Sequence, residues 1–120
     1  KLKKEKIRTS LFINANIKNV KFANILKTDC IEFHTGKLSD LIKSKKKHIV
    51  ELEKIKQCSK LAKLLGIEVH AGHGIDYKSI KVLSKIKEIE EFNIGHFIIG
   101  ESVFDGLKRV IKKFIKLSKN

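Results

Sequence analysis

Four short apolar runs, separated by helical patterns, constrain the fold of this chain more than any other feature. The runs are typical of β-strands and lie near residues 9–14, 29–34, 67–71 and 89–95. Apolar residues recur at the helical period over residues 17–27, 48–65, 77–87 and 103–117. Strands that alternate with helices favour a parallel sheet with right-handed crossovers. The segment "TGKLSDLIKSKK" predicts an excursion before the second helix, and no proline-rich linker divides residues 1–120, so we expect one structural unit.

The two faces of the predicted sheet differ in polarity, because successive side chains of a strand point to opposite faces. One face is apolar and carries Leu11, Ile13, Ile31, Phe33, Ile67, Val69, Phe92 and Ile94. The other face carries Ser10, Phe12, Asn14, Cys30, Glu32, His34, Glu68, His70, Glu91 and Asn93. An open sheet with helices on both sides should be apolar on both faces, whereas a barrel places its reacting groups at the carboxyl ends of its strands. The pattern therefore favours a barrel with a site at those ends.

Polar side chains and glycines gather where the predicted strands end. The polar residues there are Asn14, Glu32, His34, His70, His73, Asn93 and His96. His73 can exchange a proton near neutral pH, and Glu32 can orient a group or stabilise charge. Gly74 and Gly95 let backbone N–H groups approach an anion such as phosphate, although a plain turn explains either glycine taken alone. Structural histidines remain the alternative to catalytic ones.

A metal site is another possibility for these histidines. Imidazole ligands for zinc could come from His34, His70, His73 and His96. Their spacing is not one of the strong ligand patterns, and an HxxH pair that spans a strand and a loop is loose. We therefore expect no metal.

The chain is strongly basic, with 27 Lys and Arg against 13 Asp and Glu and a net charge of +14. Such a charge is compatible with a nucleic acid or an anionic membrane. The lysines are spread along the chain, however, and aromatic residues do not alternate with them as stacking platforms would. We expect a solvated surface that favours phosphorylated small molecules, with no nucleic-acid or membrane partner.

Neither a secretory signal nor a membrane span is evident in the sequence. Cys30 and Cys58 are too far apart for a CxxC pair, which favours reduced thiols in a cytoplasmic protein. The chain contains no methionine, so we expect its reading frame to begin upstream.

The segments "SLFIN", "IEFHTGKL", "VHAGHGIDY" and "EFNIGHFIIGESVFDGL" resemble, in this order, the signatures of the pyridoxine 5′-phosphate synthase family. The resemblance runs in register from about residue 9 to residue 117. It implies an α/β fold of the (β/α)8 TIM-barrel type, of which this chain supplies about the last four βα units. Residues 1–120 are then the C-terminal half-barrel of a protein about twice as long.

The resemblance also implies a reaction and a set of residue roles. The family condenses 1-deoxy-D-xylulose 5-phosphate with 3-amino-2-oxopropyl phosphate to pyridoxine 5′-phosphate, phosphate and water, in vitamin B6 biosynthesis, without a cofactor. Glu32 matches the residue that stabilises a transition state, and His73 matches the proton donor. Gly74, Gly95 and His96 match the residues that bind the phosphorylated ligand. Further possible pocket residues are His34, Thr35, His70 and Asn93.

The match departs from the family at His70, where Asn is common, at Glu101, where Arg is common, and at "FINA", where "FIDP" is common. The family's proton-accepting His and Glu and its phosphate-binding Arg residues belong to the first half of the barrel, so we expect the isolated chain to be inactive. The resemblance also implies that barrels of this family associate as a homo-octamer, and we expect the same association here. The alternative is a noncatalytic basic module that binds phosphate or nucleic acid.

Overall fold

A computed structural model of the chain describes residues 2–119. Its single sheet contains four parallel strands in chain order, β1 (Ser10–Ile13), β2 (Cys30–His34), β3 (Glu68–Gly72) and β4 (Ile89–Asn93). The helices are α1 (Ile17–Ile25), α2 (Gly36–Lys43), α3 (Ile49–Leu64), α4 (Tyr77–Leu83), α5 (His96–Asp105) and α6 (Leu107–Ser118), and a short 3-10 helix spans Leu2–Glu5. The predicted α/β class and parallel sheet are confirmed. Within the described residues, every helix is too short or too polar to cross a lipid bilayer.

Two helices differ from the sequence prediction. The predicted final helix over 103–117 is wrong at its start, because Gly106 has a φ of +78° and separates α5 from α6. A left-handed residue ends a helix, and glycine adopts this conformation without steric cost. The predicted excursion after β2 contains the helix α2, whose apolar residues Leu38, Leu41 and Ile42 follow the helical spacing over only eight residues.

The helices pack on the apolar face of the sheet. Ile31, Phe33 and Val69 are fully buried there. Opposite them, the core contains Val20, Ala23, Leu38, Ile55, Ala62, Ile80, Leu83, Val110 and Phe114 from the helices. The alternate face is more exposed, and Phe12 on that face keeps 55% of its surface accessible. The sheet is therefore one-sided, with its helical layer behind the apolar face and its polar side chains in front.

A register shift between β3 and β4 aligns the polar side chains on the front face. Val69 pairs with Ile89, but the next residue, His70, pairs with Glu91, so Glu90 is an extra residue in β4. Ile89 is buried while Glu91 is exposed, although an uninterrupted strand would place both on the same face. The bulge therefore keeps Ile89 in the core and still presents Glu91 and the following Asn93 to the front.

An ionic network lies at the lower part of the front face, towards the start of β3. Glu68 forms an ion pair with Arg8 and lies 2.8 Å from Nε2 of His70. The Nδ1 atom of His70 lies 3.5 Å from Glu91. Hydrogen bonds from Arg8 and then from His70 lower the pKa of Glu68 to about 2. This network joins the segment before β1 to the two strands β3 and β4.

Replacement of a core residue should destabilise the fold far more than replacement of an exposed aromatic residue. Phe33 is fully buried, so we expect Phe33→Ala to cost roughly 3–5 kcal/mol of unfolding free energy. Phe104 is 89% exposed, so Phe104→Ala should change it by less than about 0.5 kcal/mol. Urea denaturation followed by circular dichroism measures both. Equal losses in the two variants would contradict the assignment of the core.

Glu68 should make the stability depend on pH in acid. Its native pKa of about 2 lies below the ordinary value of 4.5, so the unfolded chain takes up the proton first as the pH falls. The contribution of Glu68 is therefore present above pH 4.5 and is lost towards pH 2. We expect Glu68→Gln to reduce the pH dependence of the urea denaturation midpoint between pH 4.5 and pH 2. Glu53→Gln, which removes a carboxylate 3.5 Å from Lys56 on the surface of α3, is the control and should retain the slope.

Candidate active site

Two histidine rings stack at the carboxyl ends of neighbouring strands. His34 is the last residue of β2, and His73 directly follows β3. Their ring centroids are 4.4 Å apart and their planes differ by 25°. Phe12 of β1 contributes a third ring, with its centroid 5.4 Å from that of His34. These side chains form an aromatic group that limits the orientations available to each imidazole.

The backbone at His73 has an uncommon conformation that Thr35 holds in place. His73 has a φ of +70° and Gly74 a φ of +76°, so two successive residues are left-handed. Such a φ is costly for a residue with a Cβ and persists only where the surroundings enforce it. The fully buried Thr35 donates its hydroxyl to the carbonyls of Gly72 and His73, at 2.8 and 2.9 Å. Its backbone N–H also donates to the Gly72 carbonyl at 2.8 Å.

Two further glycines make room for the site side chains. A Cβ on Gly36 would stand 2.8 Å from ring atoms of both His34 and His73. A Cβ on Gly72 would overlap the carboxylate of Glu32. Sequence reasoning assigned no role to these two positions, although the motifs "HTG" and "AGHG" contain them. Because these glycines have no side chains, the imidazoles and the carboxylate can lie this close to the backbone.

Glu32 is joined to the edge strand by an amide. The Nδ2 atom of Asn93 donates to Oε2 of Glu32 at 2.8 Å, and this bond crosses over Gly72 of the intervening strand. The other oxygen, Oε1, lies over Gly72, close to the point where a Cβ of that residue would stand. Among the predicted site residues, Glu32 and Asn93 therefore form a hydrogen-bonded pair across β3.

A cavity of about 440 Å³ opens beside this pair, between the ends of β3 and β4 and the helix α2. The predicted residues His73, Gly74, Asn93, Gly95 and His96 all line it. Gly95 is the N-cap of α5, and no side chain caps that helix, so its first backbone N–H groups face the loop without a side-chain acceptor. Together with the left-handed Gly74, this helix end is suited to an anion.

The remaining predicted residues lie outside the cavity lining. His34 does not line the cavity, but its ring stacks on the ring of His73, which does. Thr35 is fully buried beneath the loop that it fixes. His70 is 6% exposed and belongs to the ionic network with Glu68. No group of three or more metal-ligating side chains is assembled within residues 2–119.

Sequence reasoning missed three residues of α2 that line the cavity, namely Ser39, Asp40 and Lys43. Ser39 is 3% exposed, and its hydroxyl has no hydrogen-bond partner among the described residues. The spacing of Ser39 and Lys43 could have indicated a shared helix face, but only once α2 had been recognised as a helix.

The family model described as "Pyridoxal phosphate biosynthesis protein PdxJ" matches residues 1–120. A curated pyridoxine 5′-phosphate synthase from Pelagibacter ubique is 59% identical over 115 residues, which cover 96% of this chain and 48% of the relative. The synthase of Zymomonas mobilis is 44% identical over 107 residues, covering 89% of this chain and 41% of the relative. That of a Sulfurihydrogenibium strain is 41% identical over 120 residues, covering 99% and 48%.

The chain thus spans about half the length of the curated relatives that it matches. The match nevertheless extends over its whole length, and the identity to the Pelagibacter ubique relative is high. The resemblance seen in the strand-end motifs is confirmed, and this chain belongs to the family of the pyridoxal phosphate biosynthesis protein PdxJ.

Proposed function

We propose that this chain is the C-terminal part of a pyridoxine 5′-phosphate synthase that condenses 1-deoxy-D-xylulose 5-phosphate with 3-amino-2-oxopropyl phosphate. The observation that carries the proposal is the cavity at the strand ends, which brings His73, Gly74, Gly95 and His96 together. Its lining combines a proton-transfer group with backbone donors for an anion. The phosphorylated substrates require the donors for an anion, and a condensation that releases water requires the proton-transfer group.

In the proposed reaction, His73 is the proton donor. Attack of the substrate amine on a ketone carbonyl gives an imine only when the carbonyl oxygen leaves as water, and that oxygen must be protonated. His73 is exposed to the cavity, and its orientation is limited by the stacked ring of His34 and by its constrained backbone. These features favour transfer of a proton from a fixed direction.

Glu32 is proposed to stabilise positive charge that develops on the nitrogen during this condensation. A carboxylate can do so where its position is fixed before the reaction. The hydrogen bond from Asn93 and the close backbone of Gly72 support this role because they fix the carboxylate over the end of β3. Gly74, Gly95 and His96 are proposed to bind a phosphate group of the ligand at the start of α5.

The sheet is proposed to be half of a closed (β/α)8 barrel. Within the described residues, β1 and β4 each pair with one neighbour and therefore present an unpaired edge. The front face carries polar side chains that no helix covers, which is the arrangement expected of strands that face a barrel interior. The relatives, about twice as long, have the length that the remaining strands need.

A fusion protein tests the proposed activity. The part of the Pelagibacter ubique enzyme that this chain does not match would be joined to residues 1–120, which replace the 59% identical region. We expect the fusion to form pyridoxine 5′-phosphate from the two substrates in the presence of a chelator, and the chain alone to form none. Absence of product from a folded fusion, or salt-dependent DNA binding by the chain instead, would contradict the proposal and favour a basic binding module.

His73→Asn in the fusion should lower kcat far more than it raises KM, because general acid catalysis contributes about 10² to 10⁴ in rate. Asparagine tolerates the left-handed φ of +70° better than most residues, so the loop should persist. His48→Asn at the N-cap of α3, which does not line the cavity, is the control. A variant with unchanged kcat would make His73 a structural residue.

A further inference from the structure

The cavity has a side that the proposed residue roles do not use. The helix α2 forms this side and presents Ser39, Asp40 and Lys43 to the cavity. Ser39 and Lys43 are four residues apart and therefore lie on the same face of the helix. The opposite side is formed by the loop of Gly74 and the start of α5.

The hydroxyl of Ser39 is an exception to the usual pairing of buried polar groups. Ser39 is 97% buried, and its Oγ finds no hydrogen-bond partner among the described residues. Ser59 in α3 shows the ordinary outcome, since its hydroxyl donates to the carbonyl of Ile55 at 2.8 Å. A buried hydroxyl without a partner costs free energy and calls for an explanation such as a ligand.

Ser39 also lies against the loop that is suited to an anion. Its Oγ is 3.8 Å from the point where a Cβ on Gly74 would stand, and its Cβ is 3.5 Å from the same point. A rotation about χ1 moves a serine hydroxyl between staggered positions without moving the helix. The hydroxyl is therefore within reach of a group held by the Gly74 loop.

We propose that Ser39 donates a hydrogen bond to a phosphate group in this cavity and that Lys43 supplies a positive charge to the same group. The inference rests on the proposed function for the phosphorylated nature of the ligand. Donors then surround the group from three directions, namely α2, the Gly74 loop and the start of α5. Two aspartates, Asp40 and Asp76, also line the cavity, so the ammonium of Lys43 offsets part of their negative charge.

Titration of the chain with inorganic phosphate tests the role of Ser39. Ser39→Ala should weaken phosphate binding about tenfold, because a hydrogen bond to a charged group is lost. Its thermal midpoint without phosphate should stay unchanged or rise, because an unpaired hydroxyl is removed and alanine favours the helix. The matched control Ser59→Ala removes a paired hydroxyl from α3, outside the cavity lining, and should leave phosphate affinity unchanged. Calorimetry and backbone amide shifts of Gly74 and Gly95 are the readouts.

A second pair of variants tests the charge. Lys43→Gln should weaken phosphate binding and reduce its salt dependence, whereas Lys47→Gln, beyond the end of α2, should do neither. Absence of phosphate binding by the unmodified chain, or equal affinity in Ser39→Ala, overturns the inference. Phosphate binding that depends on Ser39, in a fusion protein that forms no product, would support it and refute the proposed function. Product formation by the fusion, together with equal phosphate affinities of the unmodified chain and Ser39→Ala, would support the proposed function and refute this inference.

Discussion

The candidate site depends on the hydrogen bonds that Thr35 makes across the ends of β2 and β3. Its hydroxyl and its N–H both reach the Gly72 carbonyl, and the hydroxyl also reaches the carbonyl of His73. These bonds satisfy acceptors at a point where β3 has ended and no further ladder bonds are available. They also hold His73 in a left-handed conformation that it would not adopt alone. The position of one imidazole is thereby set by a threonine that directly follows the neighbouring strand.

The same strand ends show why parallel pairing suits a site of this kind. The register places Glu32 beside His70 and His34 beside Gly72, so side chains from distant parts of the sequence become neighbours. The bulge at Glu90 then brings Asn93 to the side of Glu32. A one-residue slip would move Asn93 to the helical side of the sheet, where its amide would be buried among apolar groups. The core and the site therefore both require the same register of β2, β3 and β4.

Local patterns predicted much of this arrangement but not its non-local contacts. The alternation of Ile31, Glu32, Phe33 and His34 was sufficient to assign the two faces of β2, because strand periodicity is a local property. The stacking of Phe12 on His34 was not predictable, since it depends on how two strands are aligned. Ser39 was missed because α2 has only eight residues, so the helical spacing of Leu38, Leu41 and Ile42 extends over about two turns and was interpreted as part of an excursion. The cavity-lining role of α2 follows only from its packing against the loop after β3.

The excess of positive charge has a physical role in the proposed function, because it acts on ligands before they reach the site. Within the described residues, ion pairs with glutamates are made by Lys37, Lys54, Lys56 and Lys63, and surface pairs of this kind contribute little to stability. A net charge of +14 on 120 residues instead produces a field that extends about a Debye length into solution. Such a field attracts any polyanion without selecting one. Selection then requires donors at fixed positions, which the start of α5 and the Gly74 loop provide in a cavity large enough for a small phosphorylated molecule and too small for a duplex. In the proposed function, the charge increases the rate of encounter with phosphorylated ligands, and the cavity determines which of them are held.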